Sequence, residues 1–283
     1  LADERRRPGA GSVRRLTLLV VMAGGGTGGH VIPSLAVAAE LRALGHEVLF
    51  IGTRRGLEAT LVPRAGYGIE WIDIGGLQRV GWRKALHSLV LLPLSVVRSL
   101  LLLRRHHAAA VFSTGGYVAA PVMLAAIVAR IPIVVLEPNA MPGMVTRRLA
   151  RHVRMALVAF SRSRAFFPPG RCEVTGVPVR REFFDVPPRG PHAVLRVLVT
   201  GGSRGARALN RAVREAWPLF ASAGPAVHIT LQCGPAEYDA LATEFNRTGL
   251  DGEVVPFIHD MPKAYAEADL VISRAGAGAL RRR

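Results

Sequence analysis

The chain has 283 residues, half of them hydrophobic, and a formal net charge of +17. That length admits two domains, and that apolar content excludes a wholly disordered chain. Among the 37 basic residues only Lys84 and Lys263 are lysines, and the arginines are scattered without interleaved aromatics, which argues against a nucleic-acid partner and for phosphates or an anionic membrane surface.

Residues 1–15 are rich in arginine and glycine and are expected to form a disordered basic tail. Arg14-Arg15 and the apolar run 16–23 imitate the start of a signal peptide. The glycine turn and helical pattern that follow at once favour a buried first strand instead. That turn, Gly24-Gly25-Gly26-Thr27-Gly28-Gly29-His30, is the most informative feature of the chain. A strand that empties into glycines and then a helix offers bare N–H groups and a positive dipole end to an anion. A helix over 33–44 stopped by Gly45, a strand over 48–52, a helix over 57–64 and a strand over 69–74 come next.

The segment 89–103 is very apolar but is interrupted by Pro93, Ser95, Arg98 and Ser99. A spanning helix needs about 20 apolar residues, so this one is too short and too broken. Basic residues flank it on both sides, with Trp82 at the left flank. Two readings fit: a buried crossover helix, or a contact with a membrane surface. They are compatible if one face packs inward and the other meets lipid. The helix is expected over 86–105. A short strand at 111–113 enters Thr114-Gly115-Gly116-Tyr117, and a helix over 118–129 and a strand over 133–137 follow. Strands and helices alternating at this spacing predict an α/β, parallel, doubly wound sheet with right-handed crossovers. Ligands sit beyond the C-terminal strand ends of such sheets. The loops 24–30, 114–117 and 137–139 all lie at such ends and should converge on one cleft.

Proline-rich stretches at 168–171 and 186–191 put the domain boundary within 176–191. A second strand–glycine–helix unit then begins, with 195–200 running into Gly201-Gly202-Ser203-Arg204-Gly205-Ala206. A helix over 206–217, strand 228–233, helix 237–248, strand 253–256, helix 261–268 and strand 270–273 continue the alternation. The sequence ends on a further glycine turn and Arg281-Arg282-Arg283, so the second sheet is expected to be incomplete. The expected domains are an N-terminal one over 16–180 and a C-terminal one over 181–283. Cys172 and Cys233 have no metal-ligand spacing and are expected to be reduced thiols. The same lack of a His/Asp cluster predicts no obligatory metal and no cofactor.

The hexapeptide 25–30, Gly115-Gly116-Tyr117-Val118 with Pro121, Glu137 with Asn139, Pro178-Val179-Arg180, Gly201-Gly202-Ser203 with Gly205-Ala206, and Phe257-Ile258 with Asp260-Met261 occur in order. Together, over about residues 16–276, they resemble the MurG family of peptidoglycan N-acetylglucosaminyltransferases, with a shortened C-terminus. The resemblance implies a GT-B fold of two Rossmann-like domains facing a cleft. It implies inverting transfer of N-acetylglucosamine from UDP-GlcNAc to the C4 hydroxyl of the muramyl sugar of undecaprenyl-linked lipid I, forming lipid II. It further implies a peripheral enzyme on the cytoplasmic face of the bacterial cell membrane, serving cell-wall synthesis, cell shape and division.

Each site residue then has a role and a plainer alternative. Thr27, Gly28 and Gly29 resemble a donor-contacting turn, and their N–H groups suit the acceptor diphosphate as well. His30 is either the general base for the attacking hydroxyl or an orienting group. Glu137 is the rival base. Asn139 looks like a hydrogen-bond donor to the sugar, or a brace for the loop after Pro138. Arg180 matches the family's diphosphate arginine, whose fork suits phosphate oxygens and the departing UDP. Ser203 resembles a phosphate contact, Ile258 a neighbour of uracil or a plain core residue, and Gly276 with Ala277 the start of the next donor loop.

The sequence departs from the family pattern at Leu136, Pro138, Val177, Arg204 and Ala275, and beyond residue 277 it no longer follows it. A frameshift or truncation is expected there, with weakened donor binding and loss of activity. The rivals are another lipid-directed GT-B transferase, a basic nucleic-acid binder, and a dinucleotide dehydrogenase. The last lacks the acidic residue that should close the second strand at Phe50-Ile51-Gly52-Thr53.

Overall fold

The computed structural model describes residues 16–74, 82–179, 181–185, 190, 193–202, 204–222 and 226–274. The predicted tail over 1–15 and the end over 275–283 lie outside them. Two parallel sheets carry the fold. The first takes β1 (Leu19–Gly24), β2 (Glu47–Gly52), β3 (Gly68–Trp71), β4 (Ala110–Gly115), β5 (Ile133–Glu137), β6 (Met155–Val158) and β7 (Cys172–Val174) in the order β3-β2-β1-β4-β5-β6-β7. The second takes β8 (Leu195–Thr200), β9 (Val227–Gln232), β10 (Asp251–Val255) and β11 (Leu270–Ser273) in the order β10-β9-β8-β11. All the pairings are parallel. Each sheet therefore reverses direction beside its first strand, at β1/β4 and at β8/β11, the position where doubly wound sheets open a crevice.

Helices α1 (Gly28–Ala43) and α2 (Glu58–Arg64) cover one face of the first sheet. Their cluster joins Met22, Val31, Ala38, Phe50, Val62 and Leu136. Helices α3 (Trp82–Arg105) and α4 (Ala119–Ala129) cover the other, where Val21, Ile51, Leu103, Val122, Met123 and Val135 meet. α4 is apolar on all sides, as a helix buried between sheet and neighbour should be. It stops at Arg130, a non-glycine residue with φ 57°. α5 (Met144–Leu149) and two short 3-10 turns lie between β5 and β7. On the second sheet, α6 (Arg207–Ser222) and α7 (Tyr238–Asn246) bury Val213, Trp217 and Phe245 against Val197, Ile229 and Leu231. Trp217 and Phe245 meet edge to face at 5.3 Å. α8 (Met261–Glu267) is capped by Asp260, which accepts from the Lys263 N–H at 3.0 Å.

The strand and helix alternation is as predicted in both units. The differences are local. α1 begins at Gly28, so the glycine turn and the helix overlap. α3 begins at Trp82, a turn earlier than expected, and α6 continues through Pro218 to Ser222. The stretch 138–175, for which no element is predicted, holds α5, β6 and β7. Those two strands have only 4 and 3 residues, too few for a period of two to stand out.

Candidate active site

Two of the predicted loops meet at the β1/β4 crevice. Along β1 and β4 the register runs Met22↔Phe112 and Ala23↔Ser113, then jumps to Gly24↔Gly115. Thr114 is thus an extra residue in β4, and such irregularities re-aim side chains at functional sites. Its carbonyl oxygen accepts from the Nδ1–H of His30 at 2.7 Å. A carbonyl has no proton to give, so this bond puts the neutral ring's hydrogen on Nδ1 and its lone pair on Nε2. The Thr114 hydroxyl turns inward and donates to the His30 carbonyl at 2.9 Å, beside the Ser34 hydroxyl. A Cβ on Gly24 would stand 1.9 Å from that hydroxyl, which is why this position is glycine.

The loops touch again at Gly116, with φ +85°, where a Cβ would lie 2.5 Å from the Gly25 carbonyl oxygen and 3.3 Å from His30 Cδ2. The third loop joins through α5: Thr146 Oγ1 lies 3.7 Å from a Cβ built on Gly115. Thr27 precedes α1 in an extended conformation and is exposed with Gly29, while Gly28 is buried. The first N–H groups of the helix, at Gly28 and Gly29, have no acceptor within the helix.

Glu137 is 3% exposed, and its carboxylate accepts three hydrogen bonds from its own loop. Asn139 donates its backbone N–H at 3.0 Å and its side-chain Nδ2 at 2.9 Å, and Gly143 donates its N–H at 3.2 Å. Ser163 clamps the same loop by donating to the Asn139 carbonyl at 2.9 Å. These bonds tie the Glu137 carboxylate to its own loop. Asn139 is exposed and keeps one amide hydrogen and Oδ1 beyond its bond to Glu137.

Sequence reasoning missed Glu58. It is 1% exposed and lies beneath the first glycine turn. Its Oε2 accepts from the Gly26 N–H at 2.7 Å, and its Oε1 accepts from the N–H and hydroxyl of Thr53 at 3.1 and 2.8 Å. The Thr53 hydrogen is spent on Glu58, so at their 3.0 Å contact it is the Tyr117 hydroxyl that donates to Thr53. A Cβ on Gly25, Gly52 or Gly56 would run into the Glu58 side chain at 2.6, 2.7 and 2.0 Å. The signal was present as Gly52 and Gly56 closing around the end of β2, a second glycine cradle with an acid two residues on.

In the second unit, Gly202 donates its N–H to Thr200 Oγ1 at 3.3 Å, and Gln232 donates to the Gly202 carbonyl at 3.2 Å. The turn presses on the end of β9: a Cβ on Gly205 would stand 1.7 Å from the Cys233 carbonyl oxygen. Asn210 on α6 donates to that same carbonyl at 2.8 Å and to Glu237 at 2.7 Å. Ile258 is half-buried and lines a groove with Leu198, Thr230 and Lys263. Arg180, Ser203, Gly276 and Ala277 lie outside the described residues.

Away from the crevice, α3 turns Ser95, Ser99, Leu102 and Leu103 inward and leaves Leu94, Val97 and Leu101 at least 55% exposed, with Val128 of α4 also exposed. One face of α3 thus packs inward as expected, and the other is exposed and apolar at these positions. Among the described residues no helix is long and apolar enough to cross a membrane.

Residues 20–158 match the glycosyltransferase family 28 N-terminal domain and residues 196–281 match the glycosyltransferase family 28 C-terminal domain. A relative from Solibacter usitatus (strain Ellin6076) is 53% identical over 258 residues, covering 91% of this chain and 71% of its own length. One from Myxococcus xanthus (strain DK1622) is 40% identical over 92% of this chain and 69% of its own. Both are named UDP-N-acetylglucosamine–N-acetylmuramyl-(pentapeptide) pyrophosphoryl-undecaprenol N-acetylglucosamine transferase. The crystal structure of Acinetobacter baumannii MurG is similar at a TM-score of 0.68 and 33% identity, covering 93% of this chain and 74% of that one.

Proposed function

The chain belongs to the MurG family within glycosyltransferase family 28, and we propose that it moves N-acetylglucosamine from UDP-GlcNAc to the C4 hydroxyl of the muramyl sugar of lipid I, yielding lipid II and UDP. The fold is GT-B, with the second parallel-sheet unit shorter than the first. We divide the chain into an acceptor and membrane domain over 16–180 and a UDP-sugar domain over 181–283.

The observation that carries the mechanism is the Nδ1–H bond from His30 to Thr114. It leaves Nε2 as the proton acceptor of the neutral ring, in a residue packed against Gly115 and Gly116. In our reading Nε2 takes the proton of the C4 hydroxyl as its oxygen attacks the anomeric carbon. The bond to the UDP oxygen breaks on the opposite face, so the configuration inverts. Arg180 and Ser203 receive the charge on the departing diphosphate. Thr27, Gly28, Gly29 and Asn139 hold sugar groups, Ile258 meets the uracil, and Gly276 with Ala277 completes the donor loop. Glu137 positions Asn139 and is not the base. The exposed stripe Leu94, Val97 and Leu101, near Arg98, Arg104 and Arg105, suits a peripheral seat on an anionic membrane, at the cytoplasmic face where the lipid acceptor is made.

The test is transfer of labelled N-acetylglucosamine by the 283-residue chain to a lipid I analogue, beside calorimetric titration with UDP-GlcNAc. Binding of UDP-GlcNAc and labelled product on lipid I alone support the reading. Labelling of a diacylglycerol acceptor in its place overturns the assignment of the acceptor, and a lack of nucleotide-sugar binding overturns the donor site.

A further inference from the structure

The first glycine turn was read from sequence as an anion cradle, but an anion of the protein already occupies part of it. The Glu58 carboxylate takes the Gly26 N–H at 2.7 Å and is enclosed by Gly25, Gly52 and Gly56, none of which has room for a Cβ. As a carboxylate it only accepts, and the three donors it meets are matched to that. The Gly26 ring contact extends the same unit: a Cβ there would lie 2.7 Å from Tyr117 Cε1, and the Tyr117 hydroxyl bonds Thr53. Glu58 therefore ties the turn that bears His30 to β2 and to the loop that follows β4.

A fixed negative charge behind a turn has a second effect. It opposes any ligand anion that approaches the same N–H groups, and burial weakens the screening that water would supply. We propose that Glu58 is a positioning and specificity residue: it fills the place of a phosphate in the first glycine turn, so that the turn presents His30 and the N–H groups of Gly28 and Gly29 to neutral sugar groups and turns diphosphates away. This rests on the transferase reading above and refines it. The diphosphates of both substrates must be held elsewhere, and among the described residues of the Gly201–Gly205 turn no N–H is bonded to a carboxylate. Its Gly202 N–H meets a threonine hydroxyl instead.

The test is an amide-resolved titration of the isotopically labelled full chain, wild type and Glu58→Gln, with inorganic pyrophosphate and with methyl N-acetylglucosaminide. In the wild type, pyrophosphate is expected to leave the Gly26, Gly28 and Gly29 amides unmoved, while the neutral sugar moves Gly28 and Gly29. In E58Q, pyrophosphate is expected to move all three, with affinity at least tenfold above any wild-type response. Pyrophosphate shifts at these glycines in the wild type overturn the proposal, as does a folded E58Q that stays silent to pyrophosphate. If E58Q does not fold, the wild-type contrast between the two probes decides the matter alone. Failure of the donor reading shows separately, as a lack of UDP-GlcNAc response anywhere in the chain.

Discussion

Thr114 is the residue that the β1–β4 register skips, and its carbonyl is the acceptor that fixes the tautomer of His30. The carbonyl belongs to the backbone, so His30, the base we propose, is oriented by the sheet irregularity and not by the identity of the side chain at 114. His30→Ala is expected to lower kcat by about 10²–10³-fold with little change in UDP-GlcNAc affinity, the loss general bases commonly show. Thr114→Ala keeps the carbonyl and should cost less than about tenfold. Steady-state kinetics on a lipid I analogue separate the two; equal losses would assign the role to the threonine hydroxyl.

Removing Glu137 should act through the loop. Glu137→Ala leaves the N–H groups of Asn139 and Gly143 and the Asn139 amide without their acceptor. Asn139 and Gly143 are exposed and can turn to water, so the loss is the net worth of hydrogen bonds to a charged group, about 1.5–3 kcal/mol. A unit of this size loses about 2–4 °C of Tm per kcal/mol. The expected signature is a lowered Tm and a raised KM, with kcat falling far less than in His30→Ala. A kcat loss as large as that of His30→Ala, at unchanged Tm, would reinstate Glu137 as the base.

Two glycines with similar φ make opposite predictions. Gly45, at φ +85°, has nothing within 4 Å of a built Cβ, so Gly45→Ala meets only the left-handed penalty of about 1–2 kcal/mol. Gly205, at φ +70°, would drive its Cβ to 1.7 Å from the Cys233 carbonyl oxygen. That neighbour is backbone and cannot swing away, so Gly205→Ala should cost at least about 3 kcal/mol. Urea unfolding of both variants checks the ranking.

The two faces of α3 should separate membrane binding from folding. Leu94→Glu with Leu101→Glu is expected to abolish co-sedimentation with anionic vesicles and leave Tm nearly unchanged, because both side chains are exposed. Leu102→Ala, on the buried face, should cost about 2–5 kcal/mol and leave vesicle binding of the folded chain intact.

Cys233 should be slow to alkylate. Burial first of all, and the Glu237 carboxylate, push its thiol above the ordinary value. A raised folded value means the contribution to stability is complete below the unfolded value and is lost as pH rises through the folded one. Iodoacetamide should therefore label Cys233 slowly at about pH 8 and readily in denaturant, with a stability decline above about pH 8.5. Rapid labelling of the native chain at neutral pH would show the second unit opening locally.

The sequence announced the architecture because parallel strands buried on both faces are continuous apolar runs, as over 19–23 in β1 and 197–199 in β8, and because glycines mark where each run ends. It announced His30 through its place at the end of the glycine run. It did not announce the skipped residue at Thr114, since register is a property of two strands at once. Glu58 escaped for a related reason. An acid in the first turn of a short helix is ordinary in sequence, and only the fold brings Gly25 and Gly52, far apart along the chain, around it. In sequence Glu137 is only a strand-end carboxylate, and the three donors on which we read it as a brace are brought to it by the fold.

The first sheet has a packed cluster on each face, whereas the second has its cluster on the side of α6 and α7 among the described residues. On the other side of the second sheet, Arg196, His228 and Thr230 line an open groove. There α8 covers Leu198 down to 2% exposure, so the second sheet is held by two helices on one side and by one short helix on the other. Cores of such different size are expected to melt apart from each other, with heat or a protease meeting the smaller one first.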